Sequence, residues 1–176
     1  DYYKAIDRVL RHYNNAGFQI AIIQCDGEFK AMMDVVKDDL CVTMDYTNAG
    51  DHVPDAERNN HTIKERFQVW FHRLPYKALP ELMIRSLGME CTRSLNFFPA
   101  KGGVSKYFSP RMLLSQSNLD YKKHFQVSFG AYVQANNNDI PTNTMASRTR
   151  DGIYLRARPG NVRGHEVMDF NSGMLI

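Results

Sequence analysis

The feature that most constrains the fold is a short apolar run that ends in a carboxylate. Residues 18–25 read Phe-Gln-Ile-Ala-Ile-Ile-Gln-Cys, and Asp26 follows directly. A short, continuous run that is rich in isoleucine predicts a buried strand of an α/β sheet. Because open α/β sheets place their chemistry at the carboxyl ends of the strands, the sequence predicts a functional carboxylate at Asp26.

A long amphipathic helix is expected to begin at Pro54, because proline at the first helical position gives up no needed hydrogen bond. At about 100° per residue, its polar residues Glu57, His61, Lys64 and Gln68 fall in one narrow stripe beside the apolar face. Such a stripe fits a phosphate-bearing groove, and it equally fits an ordinary amphipathic helix with a solvated polar side. The apolar face that is expected to be buried consists of Ile63, Phe67, Trp70, Phe71 and Leu74.

Alternating helices and strands are predicted for the first half of the chain. Helical spacing predicts helices over residues 1–15 and 27–38 and another that starts at Pro80. Residues 40–46 alternate apolar and polar side chains, as a half-buried strand does. The helix after Pro80 is expected to bury residues spaced by four, namely Met83, Leu87, Cys91 and Leu95.

The second half of the chain predicts a linker and then a small β-domain. From Phe125 onwards the residues are typical of short strands, and a hairpin turn is expected at residues 171–173. A few short strands of this kind predict a small barrel. Before them, residues 96–116 are punctuated by proline and glycine, which is typical of a linker. Its apolar residues are expected to hold it against a surface: Phe97, Phe98, Tyr107 and Phe108.

Composition and charge limit the class of protein. Hydrophobic residues at 43% and charged residues at 23% are values of a globular chain, and no apolar run approaches the roughly 18 residues that a membrane span needs. The three cysteines stand far apart, so we expect reduced, packed thiols, no zinc site, and a nuclear or cytosolic location. Residues 101–176 carry 10 Lys and Arg against 5 Asp and Glu, a basic tail that suits a polyanion such as nucleic acid.

Two strings in the sequence resemble a known family. CDGEF contains Asp26, and it precedes AERNNHTIKERFQVWFHRLP, which contains Glu57. In this order they resemble the integrase core of copia-type LTR retrotransposons, where a DNxGEF-like string precedes an AERxNRTL-like helix; the wording is most similar to elements of algae and diatoms. Later segments, from LPYKALPELM to RGHEVMDFNSGMLI, are similar to the helices and the small β-domain that follow that core. The resemblance therefore covers nearly the whole chain.

The resemblance implies a fold and a function. The fold implied is α/β: the C-terminal part of an RNase H-like integrase core at residues 1–95, a linker at 96–118, and a small Src-homology-3-like (SH3-like) β-barrel at 119–176. The function implied is DNA integration, in which a piece of the element's Pol polyprotein joins element DNA ends to target DNA. DNA as the partner and a homo-oligomer in the intact integrase are also implied, while the lack of a long apolar run predicts no membrane association.

The same resemblance implies roles for particular residues. Asp26 and Glu57 match the second and third carboxylates of the family's D,D,E triad, so they are implied as catalytic residues that bind Mg²⁺ or Mn²⁺. Paired metals in such sites assist in-line displacement at phosphorus. Without the resemblance, Asn60 fits a residue at the boundary of the apolar face and His61 fits a surface histidine. The DNA contacts implied by position on the motif are Arg58, Asn60, His61 and Lys64.

Two departures from the family pattern bear on activity. No Asn follows the Asp of CDGEF, and 30 residues separate Asp26 from Glu57, fewer than is usual in the family. The first Asp of the triad belongs on a strand well upstream, and Asp1 and Asp7 lie on a helical pattern that does not replace it. The absence of an initiator methionine predicts a fragment or a processed piece, and the missing Asp predicts that it is inactive alone. Two alternatives stay open, a non-catalytic DNA-binding remnant and another RNase H-like metal nuclease.

Overall fold

The computed structural model describes residues 2–47, 54–116, 118–136, 143–145, 147–158 and 164–176. Within these ranges the protein is mixed α/β with small sheets, which confirms the α/β class predicted from the sequence. The chain divides into two compact units: unit 1 comprises Asp1–Thr62 and Phe98–Ser117, and unit 2 comprises Ile63–Phe97 and Asn118–Ile176. These units do not test the family-based boundaries after residues 95 and 118, which stay a prediction.

The elements follow one another in the order that periodicity predicts in outline. In chain order they are α1 (Tyr2–Asn15), β1 (Ile22–Cys25), a 3₁₀ helix (Gly27–Met32), α2 (Met33–Leu40), β2 (Thr43–Tyr46), α3 (Pro54–Arg73), α4 (Glu81–Leu95), α5 (Pro110–Ser115), α6 (Tyr121–His124), β3 (Tyr132–Asn136), β4 (Thr149–Ala157) and β5 (His165–Asp169). None of these helices is both long and apolar enough to cross a membrane.

Unit 1 is organised around the parallel pair β1–β2. Ile22 lies opposite Thr43, and Cys25 lies opposite Tyr46. Strand periodicity turns alternate residues to opposite faces, so Met44 is buried while its neighbours Thr43 and Asp45 are exposed. Side chains from α1 and α2 cover the inner face, and together they form a core of Leu10, Cys25, Val36, Val42 and Met44.

The prediction of a buried strand from Phe18 to Cys25 is wrong in length and in burial. Only Ile22–Cys25 is strand, and of its residues only Cys25 is buried, while Ile22 is 60% exposed. A continuous apolar run predicts cover on both faces. In the described part of the chain, however, β1 pairs with β2 alone and is covered on one face.

The helix predicted over residues 27–38 is divided in two. Its first half, Gly27–Met32, is a 3₁₀ helix, and α2 begins at Met33. Met32 has φ −104° and ψ −3°, outside the usual α-helical geometry, and so marks the break. α2 ends at Leu40, and its C-cap residue Cys41 adopts the left-handed conformation with φ 55°. That turn delays β2 to Thr43, three residues after the predicted start at Leu40.

Unit 2 contains an antiparallel sheet of order β3-β4-β5. Tyr132 lies opposite Ile153, and Gly152 lies opposite Asp169. The predicted buried residues of α4 are confirmed for Met83, Leu87 and Cys91, whereas Leu95 is half-buried. These three pack with residues of the sheet and the preceding loop in a core of Met83, Leu87, Cys91, Phe129, Ile153, Leu155 and Met168.

The apolar face predicted for α3 is confirmed, although no residue of α3 is fully buried. Phe67, Trp70, Phe71 and Leu74 are half-buried and pack against the core of unit 2. Ile63 is half-buried as well, but it does not belong to that cluster. The helix therefore has the predicted apolar face, which contributes partly buried rather than central side chains.

The C-terminal hairpin is confirmed, but the strands form no closed barrel in the described part of the chain. The turn over residues 170–173 places Gly173 at φ 66°, a conformation that favours glycine, and brings Leu175 back beside Met168. β3, β4 and β5 form an open sheet. The predicted barrel would need further pairing to close this sheet.

The prediction that four aromatic residues hold the 96–116 segment against a surface is confirmed only for Phe97, which is 3% exposed. Phe98, Tyr107 and Phe108 are exposed. An aromatic residue in a loop is buried only where a facing surface exists, and the sequence does not show whether it does. The segment also contains α5. Ser109 caps the first turn of this helix, because its Oγ accepts the Met112 N–H at 3.2 Å.

Candidate functional site

Asp26 lies directly after the carboxyl end of β1, where the sequence predicts it. Its backbone is extended, with φ −76° and ψ 158°, and its Oδ1 accepts the Gly27 N–H at 2.6 Å. The carboxylate therefore caps the 3₁₀ helix, as short acidic side chains commonly do at helix starts. Because Asp26 is exposed, the rest of the carboxylate has access to solvent.

Glu57 lies in the first turn of α3, which begins at Pro54 as predicted. A carboxylate at this place is stabilised by the positive end of the helix dipole. Asp55 shares the turn and lies 3.8 Å from Arg58 Nη1, with both side chains more than three-quarters exposed. Such an exposed pair contributes little to stability, so Arg58 is available to other anions.

The polar stripe of α3 is solvent-exposed along its whole length. Glu57, His61, Lys64 and Gln68 are all exposed, and so is Asn60, which the boundary interpretation had placed beside the core. A surface that contacts DNA must be exposed, but the polar face of an ordinary amphipathic helix is exposed as well. The residues implied as DNA contacts are thus accessible: Arg58, Asn60, His61 and Lys64.

The edge of the sheet beside Asp26 carries a second carboxylate that the sequence alone does not identify. Asp45 is an exposed residue of β2 that lies opposite Gln24 of β1. Burial raises the pKa of the Cys25 thiol, and the charges of Asp45 and Asp26 raise it further. The alternation of β2 places Asp45 on an exposed face, and the parallel register with β1 places it opposite Gln24. The sequence predicts the alternation, but the register is known only once the strands are paired.

The carboxylates Asp26 and Glu57 belong to the same compact unit. The sequence predicts a loop over residues 48–53, which contain Gly50, to bring the two carboxylates together. These residues lie outside the part of the chain that the structure describes. Among the described residues, no group of three or more His, Cys, Asp or Glu side chains could hold a metal ion. Asp26 and Glu57 supply oxygen donors of the kind that Mg²⁺ prefers, and their convergence stays a prediction.

Unit 2 contains a second charged cluster, which is buried. Arg93 Nε lies 3.3 Å from Glu90 Oε2 without hydrogen-bond geometry, while its Nη1 donates to the Ala157 carbonyl at 2.6 Å. Burial raises the pKa of Glu90, although the facing Arg93 and Arg156 lower it in part. This cluster joins α4 to β4.

Arg156, a residue of the basic tail, has a partner inside the protein. Its Nε lies 2.6 Å from Glu166 Oε2, and its Nη1 lies 2.7 Å from the Met89 sulfur. The Arg156 side chain is 21% exposed, and that of Glu166 is 11% exposed. A phosphate would have to displace a short ion pair, so Arg156 is a poor DNA contact. The contact arises because β4 pairs with β5, which places Arg156 opposite Glu166. The two residues stand ten positions apart, so the sequence does not show that they meet.

The cysteines are all free thiols. Cys25 and Cys91 are buried, as expected for packed thiols, whereas Cys41 is exposed, so that expectation is wrong for Cys41.

No family model, curated protein or solved structure matches this chain.

Proposed function

We propose that this chain is the later part of a retrotransposon integrase of the copia type, a D,D,E polynucleotidyl transferase that joins element DNA ends to target DNA. The proposal includes an RNase H-like core, an SH3-like β-domain, action in the nucleus or cytoplasm, and a homo-oligomer in the intact enzyme. It rests on the resemblance of the strings around Asp26 and Glu57 to that family.

One structural observation supports the proposal most. Asp26 follows the carboxyl end of a strand in a parallel pair, and Glu57 stands exposed in the first turn of the helix that carries the polar stripe. These are the settings in which a strand-end carboxylate and a helix-start carboxylate share a metal. The exposed Arg58, Asn60, His61 and Lys64 lie on the same helix within two turns of Glu57.

Each residue has a role in the proposed mechanism. Asp26 and Glu57 would hold divalent metal, which, when bound, sharpens the attacking oxygen and steadies the leaving oxygen of an in-line displacement at phosphorus. Lys64 and Arg58 bind backbone phosphates as cations, and this fixes the DNA in register over the carboxylates. Asn60 and His61 add hydrogen bonds to the strand. The bond from Asp26 Oδ1 to the Gly27 N–H fixes the orientation of that carboxylate.

A second candidate function is favoured by the same hydrogen bond. Capping of the 3₁₀ helix is a sufficient structural reason for Asp26, and it requires no metal. In that case the chain is a non-catalytic DNA-binding protein that uses the cations of α3. The two candidates share the DNA-binding surface and differ in what the carboxylates do.

DNA binding by the full chain tests the surface on α3. Phosphate contacts give a slope of about −0.9 per neutralised phosphate in log affinity against log salt for duplex DNA. Lys64→Ala is therefore expected to flatten the slope by about one unit. Lys37→Ala, which removes an exposed lysine from α2, is the matched control and should leave the slope unchanged. Affinity that does not respond to salt would contradict both candidates.

Metal binding separates the two candidates, because the chain is predicted to be inactive alone. Mn²⁺ binding that is lost in Glu57→Gln favours the transferase. Duplex binding without such metal binding favours the second candidate.

A further inference from the structure

An exposed pair of stacked aromatic rings lies in unit 2, whereas Asp26 and Glu57 belong to unit 1. The Tyr121 and Phe125 rings have centroids 5.7 Å apart and planes inclined by 23°. Tyr121 is 62% exposed and Phe125 is 47% exposed. Two large rings that stack on each other while each keeps about half its surface in water are not a core, so their exposed faces call for another explanation.

The pair stands on a rigid base. Phe97, only 3% exposed, meets the Phe125 ring edge to face at 5.5 Å and the His124 ring at 5.5 Å. Arg93 lies over the Phe97 ring at 5.2 Å, and its Nη1 is held by the Ala157 carbonyl at 2.6 Å. These contacts hold Phe97 in place, Phe125 packs on Phe97, and Tyr121 stacks on Phe125. The two exposed rings therefore keep their orientation and lose little entropy on binding.

The segment that carries the pair has more cationic than anionic residues in its sequence, with Lys122 and Lys123 against Asp120. Between the two rings the sequence reads Lys-Lys-His, and Lys122 is exposed. The nearest carboxylate in sequence, Asp120, accepts the Lys122 backbone N–H at 3.0 Å and caps α6. Aromatic faces flanked by cations are complementary to a chain of flat bases joined by phosphates. An acidic or apolar protein partner would use one of these features and leave the other unused.

We propose that Tyr121 and Phe125 stack on the bases of a single-stranded nucleic acid while Lys122 binds its phosphates. Only unpaired bases expose a face that can stack on these rings, because a duplex keeps its bases stacked on one another. The inference rests on the proposed function for the ligand class, nucleic acid, but it uses residues that the α3 surface does not include. It adds an unpaired strand to the duplex that α3 would bind.

Fluorescence anisotropy of the full chain with an end-labelled oligothymidylate of about twenty nucleotides, longer than the site of one small domain, tests the proposal. An abasic strand of equal length and charge is the second probe. The chain is expected to prefer the oligothymidylate. Tyr121→Ala should lower that affinity about fivefold to a hundredfold, the contribution of one stacked base, and leave binding of the abasic strand unchanged.

Further variants separate stacking from apolar packing and from folding. Tyr121→Phe should bind as the parent does, whereas Tyr121→Leu keeps an apolar side chain, removes the ring, and should bind as Tyr121→Ala does. Lys122→Ala should flatten the salt slope by about 0.7, the value for one phosphate of a single strand. Lys106→Ala/Tyr107→Ala is the matched control for Tyr121→Ala/Lys122→Ala, because Tyr107 is 84% exposed and no ring contact appears for it among the described residues.

Three results would overturn the inference. The first is equal affinity of the chain for the base-bearing and the abasic strand. The second is a Tyr121→Ala variant that keeps the circular dichroism and the oligothymidylate affinity of the parent. The third is a Lys106→Ala/Tyr107→Ala control that loses as much affinity as Tyr121→Ala/Lys122→Ala. Loss of duplex binding in Lys64→Ala with the oligothymidylate preference intact leaves this inference standing. Conversely, loss of that preference in Tyr121→Ala with the duplex salt slope intact leaves the proposed function standing.

Discussion

Gly152 is a position where the register of the unit 2 sheet determines the effect of a single methyl group. A Cβ built there would lie 2.5 Å from Val167 Cγ1 and 2.6 Å from the Met168 carbonyl oxygen. The carbonyl belongs to β5, which pairs with β4, so it cannot move away without disturbing the ladder. Gly152→Ala is therefore expected to destabilise unit 2.

The expected loss in free energy of unfolding in Gly152→Ala follows from two opposing effects. Overpacking of this kind costs about 1–3 kcal/mol, and the cost lies in the upper part of that range because one of the two atoms is main chain. Replacing glycine by alanine in a strand returns about 0.5–1 kcal/mol of backbone entropy. The net loss in free energy of unfolding is about 2 kcal/mol. With a slope of about 1–3 kcal/mol per molar urea, the midpoint should fall by roughly 1 M.

Gly88 in α4 offers a matched control of opposite sign. A Cβ built at Gly88 meets nothing within 4 Å outside its own helix backbone. Gly88→Ala should therefore stabilise unit 2 by about 1 kcal/mol, the difference in helix propensity between the two residues. The same chemical change is thus expected to lower the urea midpoint at one site and to raise it at the other.

Tryptophan fluorescence during urea unfolding is the assay. Trp70 is the single tryptophan of the chain, it belongs to unit 2, and its ring lies 6.4 Å from that of Phe129, so its emission reports on this unit. A Gly152→Ala midpoint equal to or above that of the parent would refute the register that places Gly152 opposite Asp169. A fall in both variants would refute the account of α4 instead.

Two further predictions concern buried groups. Burial raises the pKa of Glu90 above its ordinary value of 4.5. The folded protein is therefore stabilised by protonated Glu90 below pH 4.5, and this stabilisation is lost as the pH rises through the higher pKa of the folded state. Glu90→Gln should therefore be more stable than the parent at neutral pH and lose that advantage below 4.5; urea titrations at several pH values measure this, and an unchanged or reversed difference would contradict it. Cys41 should react quickly with Ellman's reagent in the native chain, while the buried Cys25 and Cys91 react only on unfolding, and Cys41→Ser should abolish the fast phase; two fast thiols in the parent would show that one core is open.

The helices could be predicted from the sequence because their signals are local. Pro54 begins α3, the glycine at residue 17 follows α1, and a four-residue spacing identifies Met83 and Leu87 as buried. The hairpin turn near Gly173 is equally local. Side chains within a few residues of each other determine these features, so the sequence carries them without knowledge of the rest of the fold.

Other features could not be predicted, because they depend on which segments meet. Burial of Ile22 depends on what covers the second face of β1, and exposure of Tyr107 depends on whether a surface faces it. Arg156 belongs to the basic tail that suits nucleic acid, but the β4–β5 register gives it Glu166 as a partner. For the candidate site, the placement of Asp26 at a strand end followed from its local sequence, whereas its capping bond to Gly27 became visible only in the structure.

A titration with Mn²⁺ tests whether Asp26 and Glu57 share a divalent metal, as the proposed function requires. Electron paramagnetic resonance counts the free ion in titrations of the parent, Asp26→Asn, Glu57→Gln and the double variant. The controls are Asp34→Asn and Glu81→Gln, which neutralise exposed carboxylates in the first turns of α2 and α4.

If the two carboxylates share the ion, each single variant should lose about tenfold or more in affinity, the contribution of one charged ligand. The double variant should then lose no more than the weaker-binding single variant, because removal of one ligand already disables the shared site. The controls should bind as the parent does. Single variants that bind Mn²⁺ as the parent does, or losses that simply add, would contradict the claim that these carboxylates form one metal site.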